Sequence, residues 1–396
     1  MTKKITQAVI LAGGRGLRLR PLTDQTPKPM VLIHGRPFLE HLIELLKKNG
    51  ISEVVFLLGY LPEKISKHFD DGSRFGIKIN YSVTPVGDEN GTRVRKAKVF
   101  FKKYFLLLYG DNFWPLNLEN LADFYQKQKV PVVVTVYRND KDYTPYLRKN
   151  NIRVDNDGYI GKYDPRGEDP TLNGIDAGFF IIDRDIVNSF PRKNFSLEEF
   201  LPNLIKKRQL AGYLTDLPYY SLTNFEKLEL TKKFLKTKKA VILDRDGVIN
   251  SKPDRGDYVK NWSEFSFLPG AIEAIRLLKK NGFLVFVITN QRGIARGLMT
   301  KKDLVDIHRK MQFELKKRGT KIDQIYYCPH NYGECSCRKP KPGMLLAAAR
   351  DYYLDLSQVV LIGDDQSDIK AGKAVGCRTI SVESNGNLLK TVQSLF

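Results

Sequence analysis

Ala240-Val241-Ile242-Leu243-Asp244-Arg245-Asp246-Gly247-Val248-Ile249-Asn250 is the stretch on which the reading of this chain turns. Four apolar residues in a row fit a strand buried on both faces of a parallel sheet. Two carboxylates, one residue apart, stand at its C-terminal end, where ligands collect in α/β sheets. One carboxylate there can attack phosphorus while its neighbour handles the proton, which is what a magnesium-dependent aspartyl phosphatase requires. Such a motif is expected to open a domain. Residues 1–239 precede this strand, so a further domain is expected in front of it.

A chain of 396 residues is long for one hydrophobic core. With 42% hydrophobic and 28% charged residues it has the composition of a soluble globular protein. No apolar run approaches the roughly 18 residues of a membrane span. The start, Met1-Thr2-Lys3-Lys4-Ile5, leads directly into a strand and not into a signal peptide, so the cytoplasm is the expected location. The net charge of +21 invites a nucleic-acid partner. It is shared about evenly by the two halves, with no basic tail or block, which suits small anionic substrates better. No nucleic-acid or membrane partner is expected, and the oligomeric state is not legible.

Two α/β domains of doubly wound, Rossmann-like type are expected, with the boundary between residues 236 and 237. In the first, Ala8–Ala12, Glu53–Leu58, Tyr104–Leu108 and Val130–Tyr137 read as strands. A helix reads from Phe38 to Asn49 and stops at Gly50. A lysine-rich helix, Phe225–Lys239, leads to the second domain. There, strands Ala240–Leu243, Leu284–Ile288 and Val359–Ile362 alternate with helices at Gly270–Asn281 and Lys302–Arg318.

Four pieces of phosphoryl chemistry recur at strand ends of the second domain. Asp244 and Asp246 form the first. Thr289 and Asn290 offer a hydroxyl and an amide to phosphoryl oxygens. Arg338 and Lys339 supply cationic donors, and Asp364 a hard oxygen ligand for magnesium. A phosphate dianion repels an attacking carboxylate, so a divalent cation and a lysine are needed along the reaction path. A further cluster, Cys328-x-His330 followed by Cys335-x-Cys337, gives three thiolates and an imidazole, which suits a tetrahedral structural zinc with no open position. Its expected task is to hold the loop so that Arg338 and Lys339 point at the substrate. Cys377 and His34, His41, His68 and His308 read as ordinary packing or surface residues.

Over residues 238–396 the chain resembles the haloacid-dehalogenase superfamily, and more narrowly the D-glycero-D-manno-heptose-1,7-bisphosphate 7-phosphatases. The residues that carry this are Asp244–Asn250, Ile288-Thr289-Asn290-Gln291 with Gly293-Ile294-Ala295-Arg296-Gly297, and Cys337-Arg338-Lys339-Pro340 with Pro342-Gly343-Met344. The resemblance implies Asp244 as nucleophile, Asp246 as acid and base, and Thr289 and Lys339 as phosphoryl stabilisers. It implies magnesium on Asp244, Asp246 and Asp364. Substrate contacts are expected from Arg338, Asn250, Asn290 and Asp365, and from Lys252, Asp254 and Arg255 in the loop after the first motif.

The first domain carries Leu11-Ala12-Gly13-Gly14-Arg15-Gly16-Leu17-Arg18-Leu19-Arg20-Pro21-Leu22-Thr23 and then Thr26-Pro27-Lys28-Pro29-Met30. Glycines let backbone amides approach a phosphate chain, and the basic residues neutralise it. The nucleotide-binding candidates are Leu11, Gly13, Gly14 and Gly16. This pattern resembles the sugar-1-phosphate nucleotidyltransferases, including heptose-1-phosphate guanylyltransferases. The resemblance implies Arg18 and Lys28 on the phosphates, and Asp111, in Tyr109-Gly110-Asp111, on a second magnesium site. It also implies attack of a sugar 1-phosphate on the α-phosphorus of a nucleoside triphosphate, with GTP favoured.

Three positions depart from that family. Leu17 stands where threonine is usual, and the base-contact stretch is reduced to Gly91-Thr92-Arg93-Val94-Arg95. A second metal-binding acid is expected where Tyr220-Ser221-Leu222-Thr223 has none, with Asp176 as a substitute. Either one metal suffices, or this half is slow, altered in nucleotide choice, or inactive. The expected function is therefore a bifunctional enzyme of nucleotide-activated heptose synthesis for a surface polysaccharide. The alternatives are a histidinol-phosphate or other sugar-phosphate phosphatase with a regulatory transferase-like half, and a phosphatase of DNA ends.

Overall fold

Six consecutive buried residues, Gln7–Ala12, form an inner strand of the N-terminal unit. The computed structural model describes residues 4–139, 149–254 and 256–396, so Arg255 lies outside the described residues. The chain divides into two compact units, Met1–Leu235 and Lys236–Phe396.

In the first unit, Gln7–Ala12 is flanked on both sides by parallel strands, Glu53–Leu58 and Tyr104–Tyr109. Lys78–Val83 continues the parallel set beyond Glu53–Leu58. The strands read as near-continuous apolar runs because helices cover them on the sheet faces. Helix Phe38–Lys48 buries Phe38, Leu39, Leu42, Ile43, Leu45 and Leu46. It ends at Asn49, and Gly50 takes a φ of 78°, so the stop signal acts as expected.

The sheet departs from a simple doubly wound pattern at Gly174–Asp183, which runs antiparallel to Tyr104–Tyr109 on one side and to Val132–Arg138 on the other. Ile175-Asp176-Ala177-Gly178 thus lies within a strand. Leu210–Thr215 completes this side, parallel to Val132–Arg138. A separate antiparallel pair, Asn112–Phe113 with Tyr220–Ser221, sits directly after Asp111. The helix that closes the unit is Phe225–Leu235, shorter than expected, because Lys236-Thr237-Lys238-Lys239 has no apolar side chain to bury.

The second unit has five parallel strands in the spatial order Gln324–Cys328, Leu284–Asn290, Ala240–Leu243, Val359–Gly363, Arg378–Ser381. In chain order this is 3-2-1-4-5. The order reverses between Ala240–Leu243 and Val359–Gly363, and a crevice opens outside the strand ends at such a switch point. Asp244 and Asp364 follow these two strands. Helices Ala271–Lys280 and Lys301–Lys317 cover one face with Ile272, Ile275, Leu278, Leu304, Ile307, Met311 and Leu315. The second of them starts at a capping box, Thr300 with Asp303. Among the described residues no helix is long and apolar enough to cross a membrane.

Candidate functional site

Each unit presents a cleft at its strand ends. That of the C-terminal unit encloses about 450 Å³ and is lined by Asp244, Asp246, Lys252, Asp254, Thr289, Asn290, Arg338, Lys339 and Asp365, as well as Tyr258 and Tyr332. Among the described residues, Asn250 is the predicted substrate contact that does not line this cleft. It is fully buried, and its amide donates to Asp246 Oδ1 at 2.9 Å and to the Ser251 carbonyl at 2.8 Å. It therefore supports Asp246 from behind and does not line the cleft.

Asp244 is buried at the strand end, and Lys339 Nζ lies 2.8 Å from its Oδ1. The same ammonium lies 2.6 Å from Asp368 Oδ1 and donates to the Ile288 carbonyl at 3.2 Å. Burial pushes the Asp244 carboxyl above the ordinary carboxylate value, against the opposing pull of Lys339. Burial alone would lower the Lys339 ammonium, but Asp244 and Asp368 hold it up. Asn290 fixes the backbone of this lysine in both directions. Its Nδ2 donates to the Lys339 carbonyl at 3.2 Å, and its Oδ1 accepts from the Lys339 amide at 3.1 Å. Much of its polar capacity thus serves to hold Lys339.

The carboxylates do not group as expected. Asp244, Asp364 and Asp368 each bring an oxygen within 4.8 Å of the others, and Asp246 lies outside this set. The Asp246 carboxylate is turned instead to Arg245, whose Nη2 donates to Oδ1 at 2.8 Å and to Oδ2 at 3.0 Å, and to Gln291 Nε2 at 2.9 Å. Burial would raise Asp246, but Arg245, Asn250 and Gln291 hold it below the ordinary value. The Asp246 side chain, expected as a metal ligand, is thus turned away from the group formed by Asp244, Asp364 and Asp368. Asp365 lines the cleft but caps the helix Gln366–Lys373, accepting from the Ser367 amide at 2.8 Å.

Three hard oxygens in one group suit a divalent cation. Asp364 Oδ1 is buried without a hydrogen-bond partner, as an oxygen left for a metal would be. Lys252 Nζ donates to the other oxygen of Asp364 at 2.6 Å. Gly247 is required beside this group. Its φ is 91°, and a Cβ there would lie 2.4 Å from Asp364 Oδ2.

Arg245 and His308 were not legible as site residues. Arg245 is completely buried, and its Nη1 donates to His308 Nε2 at 3.2 Å, which fixes the ring as an acceptor. Burial, with Arg245 adding, pushes the His308 imidazole down to about 3. The unfolded chain would bind that proton near pH 6.5, so unfolding takes up a proton between pH 6.5 and about 3. Stability contributed by neutral His308 is therefore complete above pH 6.5 and falls as the pH is lowered through that window. Between pH 7 and pH 5 the loss should be about 2 kcal/mol. His308→Gln keeps an acceptor for Arg245 and removes the titration. Urea midpoints at the two pH values should diverge less in the variant than in the parent. Equal divergence would assign the acid sensitivity elsewhere.

The four predicted sulfur and nitrogen ligands meet. Cys328 Sγ lies 3.6 Å from His330 Nδ1 and 3.5 Å from Cys335 Sγ, and Cys337 Sγ lies 3.4 Å from His330 Nδ1 and 3.3 Å from Cys335 Sγ. A tetrahedron with zinc–sulfur bonds of about 2.3 Å has edges of roughly 3.8 Å, so this set fits zinc after slight expansion. Tyr332, inside this loop, has the guanidinium carbons of Arg292 and Arg338 each 4.4 Å from its ring centroid.

The N-terminal cleft, of about 610 Å³, is lined by Leu11, Gly13, Gly14, Gly16, Arg18, Lys28 and Asp111, whereas Asp176, the expected substitute for the second metal-binding acid, is not among its lining residues. Lys28 is ion-paired with Asp111. Gly16 turns the loop with a φ of 67°, and a Cβ there would lie 2.9 Å from Cβ of Lys28. The Gly91–Arg95 stretch forms helix Asn90–Lys96. Its Arg93 lines the cleft but spends four donors on Leu58 O, Thr84 Oγ1, Pro85 O and Val86 O at 2.6–3.1 Å. Ser221 pairs with Asn112, and the Leu222 amide donates to the Asp111 carbonyl at 2.9 Å. Position 221 is therefore beside Asp111, with a hydroxyl there that bonds Thr223 at 3.0 Å. The Asp176 carboxylate accepts from the Gly178 amide at 2.7 Å.

Residues 7–216 match the nucleotidyl transferase family model, and residues 336–393 match the HAD-hydrolase-like model. The chain is 41% identical over 156 residues to the D-glycero-beta-D-manno-heptose-1,7-bisphosphate 7-phosphatase of Pasteurella multocida, which covers 38% of this chain and 83% of that protein. The enzyme of the same name from Pseudomonas putida is 43% identical over 147 residues, covering 37% and 83%. The crystal structure of HddC from Yersinia pseudotuberculosis, 22% identical, shares the fold of the other half with a TM-score of 0.51 and covers 59% of this chain and all of that one. A second HddC structure was solved with GMP-PN. The chain therefore belongs to the nucleotidyl transferase family and, through its C-terminal unit, to the family of D-glycero-beta-D-manno-heptose-1,7-bisphosphate 7-phosphatases.

Proposed function

We propose that this chain carries out two steps in making a nucleotide-activated heptose. The C-terminal unit removes the 7-phosphate of D-glycero-D-manno-heptose 1,7-bisphosphate, and the N-terminal unit transfers a guanylyl group to heptose 1-phosphate. The observation that carries the reading is the buried Asp244–Lys339 pair at the end of a central strand, in a unit akin to phosphatases of that bisphosphate.

In the phosphatase step, an Asp244 oxygen attacks phosphorus and the bond from phosphorus to the sugar oxygen breaks. Asp246 gives its proton to the departing alkoxide. Arg245 holds the free carboxylate in its charged form, and the arriving phosphate dianion shifts it toward protonation. Water then attacks the aspartyl phosphate, Asp246 takes its proton, and inorganic phosphate leaves with Asp244 restored. Lys339 and Thr289 balance charge on the phosphoryl oxygens. Asp244, Asp364 and Asp368 would hold magnesium, whose charge would offset that of the dianion.

In the transferase step, a phosphate oxygen of the sugar attacks the α-phosphorus of the triphosphate and pyrophosphate departs. The Gly13–Gly16 loop and Arg18 position the phosphates, and alignment supplies most of the rate. Lys28 and Asp111 stand at the reacting end of the cleft. Magnesium there would be held by Asp111.

Zinc on Cys328, His330, Cys335 and Cys337 would set the direction of the following Arg338 and Lys339. Elemental analysis should find about one zinc per chain by the four-ligand stoichiometry. Cys337→Ser should lose it together with phosphatase activity, and full activity in zinc-free protein would remove this role.

The whole reading is tested by incubating the protein with heptose 1,7-bisphosphate and each nucleoside triphosphate, following phosphate and pyrophosphate separately. Faster phosphate release from histidinol phosphate would overturn the sugar assignment. Pyrophosphate release with a triphosphate other than GTP would overturn the base.

A further inference from the structure

Two stretches of different chemistry line the N-terminal cleft. Gly13, Gly14 and Gly16, with Arg18 and Lys28, offer backbone amides and cations. Val86–Asn90 brings no cation but two carboxylates, Asp88 and Glu89, the former paired with Lys96 at 2.6 Å. Such a stretch suits the uncharged N–H groups of a nucleobase better than a phosphate chain.

Arg93 joins the two stretches. It is 4% exposed, and its guanidinium is spent on the protein itself. Nη1 donates to the Leu58 carbonyl at 2.7 Å and to Thr84 Oγ1 at 2.6 Å. Nη2 donates to the carbonyls of Pro85 and Val86 at 2.9 and 3.1 Å. The same group lies against two bare glycines. A Cβ at Gly13 would stand 2.6 Å from Arg93 Cζ, and one at Gly59 would stand 2.5 Å from both Nη1 and Nη2. The Gly13 carbonyl in turn accepts from the Tyr60 amide at 3.1 Å. One planar, rigid fork thus sets the spacing between the glycine turn, the end of strand Glu53–Leu58 and the start of Val86–Asn90. Asn194, which does not line the cleft, fastens the same stretch. Its Nδ2 donates to the Gly87 carbonyl at 3.0 Å, and its Oδ1 accepts from the Glu89 amide at 2.9 Å.

We propose that Arg93 is a positioning residue that sets the affinity of this cleft for the nucleoside end of the triphosphate, by holding Val86–Asn90 at a fixed distance from the glycine turn. This role rests on the transferase reading given above. A wall already in its bound position loses no freedom when the ligand arrives, so its contacts count in full. Once released, the wall must be ordered by the ligand, and affinity falls.

The test measures GTP binding to the full chain by calorimetry, beside the steady-state constants for pyrophosphate release. Arg93→Gln should raise the dissociation constant and KM for GTP about tenfold or more. In the same variant kcat and KM for heptose 1-phosphate should change by less than about threefold. Arg93→Lys keeps the charge but has no fork to span these backbones, so it should recover only part of the loss. Asn194→Ala frees the same stretch from an exposed position and should also weaken GTP binding. Phosphate release by the C-terminal unit reports the amount of sound protein in each preparation. GTP binding within about twofold of the parent in both Arg93→Gln and Asn194→Ala would overturn the role. An equal rise in KM for both substrates, the mark of general loosening, would also overturn it, as would full recovery in Arg93→Lys, the mark of charge alone. A parent protein that binds GTP but releases no pyrophosphate would overturn the transferase reading alone, and the binding constants would still decide the role of Arg93. A parent that does not bind GTP would overturn both.

Discussion

Asp244→Asn is expected to lower phosphate release by at least about a thousandfold, because it removes the nucleophile and not merely a charge. The amide has the shape of the carboxylate but cannot attack phosphorus. Lys339 keeps its 2.6 Å contact with Asp368, so the buried ammonium stays paired. Asp244 is also a carboxylate raised by burial, and removing such a charge does not weaken the fold. The thermal midpoint should therefore hold or rise while activity vanishes. Pyrophosphate release should continue at the parental rate, since every proposed transferase residue lies in the other unit. Residual phosphate release near the parental rate would exclude Asp244 as nucleophile. Loss of both activities would show that the units do not work independently.

Asp111→Asn should produce the mirror image, a fall in pyrophosphate release of about a hundredfold or more with phosphate release untouched. Asp111 ends the strand Tyr104–Tyr109 after one glycine, and Lys28 is its ion-pair partner. Ser221, at the neighbouring position, offers no second carboxylate to take over. Asp111 is thus the carboxylate on which the transferase reading places the cation, with Lys28 beside it. Unchanged pyrophosphate release from the variant would relocate the metal site. Absence of pyrophosphate release from the parent protein would make this half a binding module.

Much of this was legible because it is local in the sequence. Asp244 and Asp246 follow an apolar run directly, and the Cys328–Cys337 ligands sit within ten residues, so spacing alone nearly fixes their meeting. Lys28 and Asp111 were placed together by family resemblance and meet as an ion pair. Asp368 was not legible, although it follows Asp364 by four residues. A helix turn is needed to bring it back over the loop, where it also returns its carboxylate to the Asp365 amide at 3.2 Å. His308 was read as packing because its partner, Arg245, is 63 residues away and only the covering helix unites them. The antiparallel strand Gly174–Asp183 escaped for a similar reason. Its direction is set by pairing on both sides, not by its own residues. The motif alone does not show on which side of Asp246 the Asn250 amide stands, and the fold sets it beneath that carboxylate.

The Cys328–Cys337 cluster has a practical side. Its thiols stand 3.3–3.5 Å apart, too far for a disulfide bond yet close enough to form one after a small movement. Stripped of metal, such a group is open to oxidants, and the resulting cross-link would pull the segment before Arg338 out of shape. The N-terminal unit has no cysteine at all. Chelators and air during purification would thus erode one activity and spare the other. The ratio of phosphate to pyrophosphate released becomes a record of how each preparation was handled.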